Sequence, residues 1–146
     1  MRFACPILES LPSYAWVPLR VLAGLGMMTH GWPKLFEPGR WERFVDSVER
    51  MGFPVPEFFA AAAALSELIG GALLALGLAT RPAAAFILIT MTVAAFWRHA
   101  GDPFAERELA LLYLFVALGF LLYGGGRYSL DAWMAKRSRS KAKVGA

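Results

Sequence analysis

Apolar residues gather along this chain in four long blocks separated by short polar segments. The blocks cover about residues 14–35, 58–78, 82–97 and 109–123. A helix of about 17–25 apolar residues crosses the roughly 30 Å hydrocarbon layer of a bilayer, and the blocks come close to that length. In the second, FFAAAAALSELIGGALLALGL, Glu67 is the one charged residue. The fourth is shorter and spans only if Glu108 and the turn at Gly124–Arg127 are drawn toward the membrane edges. The first is too long for a signal peptide and lacks a small-residue cleavage site; it also carries Arg20, His30 and Lys34.

Between the first two blocks the period changes. In RWERFVDSVERMG, Trp41, Phe44, Val45, Val48 and Met51 recur at helical spacing, while Glu42, Arg43, Asp46, Glu49 and Arg50 fill the other face. Gly52, Pro54 and Pro56 end the segment. The pattern predicts an all-α chain of one domain, residues 1–146: an integral membrane four-helix bundle with a short amphipathic interfacial helix, about residues 41–51, in the first outer loop. That helix either caps the bundle at the interface or docks a partner.

Composition agrees. The 146 residues are 58% hydrophobic and 18% charged, with mean hydropathy +0.49. A soluble domain this short has too little interior to hide so much apolar surface. Trp16 and Trp133 fall near one membrane face and Trp32 and Trp97 near the other, as interfacial belts require.

Charge then orients the chain. With four spans, both termini and the loop between spans two and three share a side, which holds eight basic and two acidic residues, a net +6. The opposite side holds six basic and eight acidic, a net −2. Arg20 and Glu67 lie between and cancel. The positive-inside rule places both termini in the cytoplasm. The overall net charge of +4 arises in a basic tail, residues 134–146, suited to anionic headgroups; no nucleic-acid motif accompanies it. Cys5 is the one cysteine, so intramolecular disulfide chemistry is excluded.

Ionisable residues inside a membrane are costly and need partners. Arg20, Gly24, Gly31 and Lys34 share one face of the first span, and Ser66 and Gly70 form a small-xxx-small pair around Glu67 on the second, where close helix packing is expected. Reckoned from the span ends, Arg20 and Glu67 lie near enough for a structural ion pair. His30, Lys34, Glu67 and Glu108, with His99 nearby, make candidates for a polar pocket at the outer leaflet. Such a pocket suits a quinone carbonyl, proton transfer or a metal ion. A metal site is not assigned, and bis-His haem through His30 and His99 is disfavoured because no apolar haem pocket is visible.

The order R-x3-G (Arg20, Gly24), THGWPKL (29–35), GFPVP (52–56), SELIGGALLALGLATRPAA (66–84), ERELALLYL (106–114) and GGGRYSLDAW (124–133) resembles the DoxX family of small membrane proteins. The family pattern falls on Arg20, Gly24, Gly31, Lys34, Glu67, Gly70, Arg81, Glu108, Leu109, Ser129 and Asp131. The His30 and Trp32 pair departs from it. The resemblance implies a four-helix protein of the inner (cytoplasmic) membrane. It further implies a membrane subunit of a redox, thiol-stress or oxidative-stress complex, an oxidoreductase component that binds quinone and carries no redox centre of its own. A soluble or membrane redox partner and a homo-oligomer fit that role. Two alternatives stand beside it: a non-enzymatic membrane anchor or assembly factor, and a small transporter.

Overall fold

The computed structural model describes residues 13–144; Cys5 and the last two residues of the basic tail lie outside the described residues. Among the described residues there are six helices and no strand: α1 (Trp16–Phe36), α2 (Arg40–Arg50), α3 (Pro56–Leu76), α4 (Thr80–Arg98), α5 (Phe104–Tyr123) and α6 (Leu130–Val144). A one-turn 3-10 helix at Ser13–Ala15 leads into α1. Helices α3 and α4 are long and apolar enough on their own to cross a membrane. In α1, Arg20 and Lys34 interrupt the apolar run, and α5 opens on Glu106, Arg107 and Glu108.

The four long helices pack side by side, α1 against α3, α3 against α4 and α4 against α5. Trp16 closes the circuit, stacking on Tyr123 with centroids 5.1 Å apart and meeting the edge of Phe120 at 6.2 Å. The core is built from small residues and a few long ones: Ala23, Ala60, Ala64, Ala83, Ala84 and Ala117 with Met27, Leu74, Ile87 and Phe120. Large apolar side chains point outward from all four long helices, including Leu22, Ile69, Phe86, Ile89, Leu112, Phe115 and Leu122. Small inside and large outside inverts the arrangement of a soluble core.

Glycines set the register of α1 on α3. A Cβ on Gly31 would lie 2.6 Å from the Leu68 backbone nitrogen and 2.8 Å from the Ala64 carbonyl oxygen, and one on Gly24 would collide with Gly71 and Ala75. Ser66–Gly70 of α3 is a wide π turn, and Ala94–Arg98 of α4 is another. Such insertions often mark functional positions.

At the end where α1 begins, residues from four elements form a clasp. The buried Arg20 guanidinium donates to the carbonyl oxygens of Gly125 at 2.5 Å and Tyr128 at 3.0 Å, in the turn after α5. Asp131 of α6 caps α4, accepting from Ala79 N–H at 2.7 Å, Thr80 N–H at 3.0 Å and Thr80 Oγ1 at 2.8 Å. Those bonds hold Ala79 at φ 46°, a left-handed backbone unusual outside glycine. Gly77 (φ 68°) ends α3 directly over Arg20, where a Cβ would lie 2.7 Å from the guanidinium carbon.

Candidate functional site

At the opposite end, α2 folds back over α1 and α3. Gly39 (φ 71°) and Gly52 (φ 85°) make the sharp turns on either side of it. Its apolar face supplies Phe44, Val48 and Met51, with Val48 fully buried. Beneath this helix, between α3 and α4, lies a cavity of about 670 Å³. Phe53, Phe58 and Phe59 wall it on the α3 side, and Phe86, Ile89 and Val93 on the α4 side.

One ion pair forms the polar floor. Lys34 Nζ donates to both oxygens of Glu67, at 2.6 and 2.5 Å. The Glu67 side chain is 4% exposed and that of Lys34 25%, so the lysine is the cavity-side partner. Lys34 Nζ also sits 4.4 Å from the centroid of the Phe44 ring, a cation–π contact that ties α2 to the pair. The π turn begins beside Glu67, and its first residue, Ser66, accepts a hydrogen bond from Thr90 Oγ1 at 3.0 Å. Ser66 and Thr90 line the same cavity. The floor therefore offers a carboxylate, an ammonium with three donors and two hydroxyls within otherwise apolar walls.

This geometry corrects one expectation. Glu67 pairs with Lys34, and Arg20 belongs to the clasp. Gly24 and Gly31 lock α1 so that Arg20 lies level with Gly77, ten residues past Glu67, or about 15 Å along α3. No arginine spans that distance.

The structure divides the other candidates. Lys34 and Glu67 come together in the cavity, and His99 lines its rim, with Nδ1 2.7 Å from Asp102 Oδ2. His30 is exposed on the far side of α1 and stacks edge-on against Tyr113 of α5 at 5.9 Å. Glu108 is exposed on the first turns of α5, outside the cavity. The outer polar pocket thus retains two of its four expected members. Gly24, Gly31, Ser66 and Gly70 all lie at buried helix contacts.

Sequence reasoning did not identify the aromatic walls or the rim arginines Arg40, Arg43 and Arg98. Phe44 had a visible signal, the apolar stripe of α2. The π turn that aims Glu67 at the cavity has none, because a five-residue widening leaves no mark in periodicity.

The sequence model of the DoxX family matches residues 15–100, which carry α1–α4, the ion pair and the cavity. This chain belongs to the DoxX family. A relative in Mycobacterium tuberculosis, named an uncharacterized membrane protein, is 33% identical over 144 residues, covering 82% of this chain and 81% of its own. One in Haemophilus influenzae, named an uncharacterized protein, is 32% identical over 131 residues, covering 85% of this chain and 93% of its own. No solved structure matches it. As a DoxX protein it is a membrane protein; of the residues that carry the resemblance, Lys34 and Glu67 meet at the cavity and Arg20 and Asp131 at the clasp.

Proposed function

We propose that this DoxX protein is a four-span subunit of the cytoplasmic membrane that binds a quinone headgroup in the cavity beneath α2. The observation that carries this reading is a buried carboxylate–ammonium pair on the floor of an apolar, aromatic-walled cavity. A quinone presents the complementary surface, a flat apolar ring with carbonyl oxygens at its edges. Lys34 donates a hydrogen bond to one carbonyl, and Glu67, with Thr90 and Ser66 behind it, accepts or returns the proton that accompanies reduction. The chain supplies binding and proton handling; electrons come from a partner redox protein.

The four-span arrangement is supported by the outward-facing apolar side chains on α1 and α5 as well as on α3 and α4. Arg20 and Glu67 of the bundle both find partners inside it, as membrane-buried charges need to, although Arg20 Nε is left without a hydrogen bond. The charge asymmetry of the loops supports a topology with both termini in the cytoplasm. A second reading, a docking platform for a soluble partner, is favoured by α6, whose Trp133, Met134, Lys136 and Arg137 are all exposed.

Native mass spectrometry of protein extracted in mild detergent tests the quinone reading. Wild type is expected to carry a quinone mass that is absent from Glu67→Gln, whose retained fold is checked by an unchanged circular dichroism spectrum. Quinone retained equally by both, or absent from both while a soluble partner copurifies with α6 intact, overturns it in favour of the platform.

A further inference from the structure

The rim of the cavity carries chemistry that the Lys34–Glu67 floor does not use. Along α4 the lining runs from Phe86 past Ile89, Val93 and Ala94 to Arg98. The twelve steps from Phe86 to Arg98 measure about 18 Å of helix at 1.5 Å per residue. The lane is apolar for most of its length and ends in cations, Arg98 of α4 with Arg40 and Arg43 of α2. It is open sideways, since Phe58, Phe86 and Ile89 are 65%, 64% and 62% exposed.

The rim cations differ in their partners. Arg40 is held by Glu37 at 2.7 Å, and His99 by Asp102. Arg43 and Arg98 make no ion pair among the described residues. Two such guanidiniums therefore stand at the polar end of an apolar lane that faces hydrocarbon. Guanidinium groups suit phosphate, which they grip through two parallel hydrogen bonds. A lane of this length accommodates an acyl chain lying along the helix.

We propose that the mouth between α2 and α4 binds an anionic, phosphate-bearing amphiphile, with its phosphate at Arg43 and Arg98 and one chain along α4 toward Phe86. This goes beyond the quinone reading: the headgroup uses other residues, while the chain shares the Phe86, Ile89 and Val93 wall of the same cavity. A zwitterionic lipid fills the lane equally well but places its own cation among the arginines, so selectivity resides in the headgroup. The bound lipid bridges α2 to α4, two elements that no ion pair joins among the described residues.

The test is lipid retention by native mass spectrometry in a non-ionic detergent, with phosphatidylglycerol and phosphatidylcholine of identical chains as probes. Wild type is expected to retain phosphatidylglycerol about tenfold more strongly, about 1.4 kcal/mol, because the choline cation of the other probe is repelled by the two guanidiniums. The doubly substituted R43A/R98A protein is expected to lose that preference. Both arginines are exposed, so its fold is checked by an unchanged melting temperature. The R127A/K136A protein, altered at the opposite end, is expected to keep the preference. Equal retention of both lipids by wild type, or a preference that persists in R43A/R98A, overturns the proposal. So does binding of inorganic phosphate to wild type with neither lipid retained, which assigns the arginines to a free anion. Quinone retention measured in the same spectra separates the two readings, because R43A/R98A leaves Lys34 and Glu67 intact.

Discussion

Two buried charges meet their needs at opposite ends of this protein, and each solution is local. Glu67 is neutralised by Lys34, and Arg20 by backbone carbonyls and the nearby Asp131. Removing one member of a buried pair strands the other, at a cost of about 3–5 kcal/mol. Lys34→Ala and Glu67→Ala are therefore expected to destabilise the protein by about that much, and the double substitution by far less than their sum. In the same cycle Arg20→Ala and Glu67→Ala add, since the sites lie about 15 Å apart, beyond the reach of coupling. Denaturant unfolding of the single and double variants measures both couplings.

Asp131 adds a pH dependence. Burial alone pushes its carboxyl up, but the hydrogen bonds from Thr80 and Ala79, with the charge of Arg20, outweigh burial and hold it below the usual carboxylate range. A depressed folded value means that the cap's contribution is complete above the unfolded pKa, about 3.9, and is lost as pH falls through the lower folded value. Melting temperature against pH is expected to show an acid limb below about pH 4 that is shallower in Asp131→Asn. A limb of equal steepness in both proteins would place the acid sensitivity elsewhere.

At the scale of elements, contact between α1 and α3 holds the site together. Gly31 lies against the backbone of the π turn, so a methyl group there pushes α1 away and draws Lys34 off Glu67. Gly31→Ala is expected to cost about 1–3 kcal/mol, the range for overpacking a close contact, and to weaken ligand binding. Gly101 has open space around it, so Gly101→Ala is expected to fall within about ±0.5 kcal/mol. Thermal unfolding of the two variants side by side checks the contrast. These small residues were legible in the sequence because Gly24 and Gly31 share a helix face with Arg20 and Lys34. Their consequence was not legible. Reckoning depth from the ends of apolar blocks put Arg20 beside Glu67, whereas the glycine contacts slide α1 until Lys34 takes that place. The amphipathic period of 41–51 gave away α2 and its apolar face, but which helices that face would cover depends on turns at Gly39 and Gly52 that periodicity does not encode. His30 and Glu108 were drawn into the pocket by depth alone. Rotation about the helix axis sends His30 to Tyr113 on the far side and leaves Glu108 exposed.

For the whole molecule, the proposed four-span arrangement would set the cavity and the clasp on opposite sides of the membrane. In a background carrying Cys5→Ser, a membrane-impermeant maleimide applied to intact cells is expected to label Asp46→Cys on α2 and to leave Ser138→Cys on α6 untouched until the membrane is opened. Labelling of both from one side would mean that α3 and α4 alone cross. In the proposed quinone site, the Lys34–Glu67 floor would receive the ligand. The most direct test is calorimetric titration of purified protein in detergent with a short-chain quinone, comparing wild type, Glu67→Gln and His30→Ala. The structure predicts saturable binding to wild type and to His30→Ala alike, with binding at least about tenfold weaker in Glu67→Gln, one lost charge-assisted hydrogen bond. Glu67→Gln binding as tightly as wild type, or His30→Ala losing affinity in its place, would contradict the account and move the site to the seam between α1 and α5.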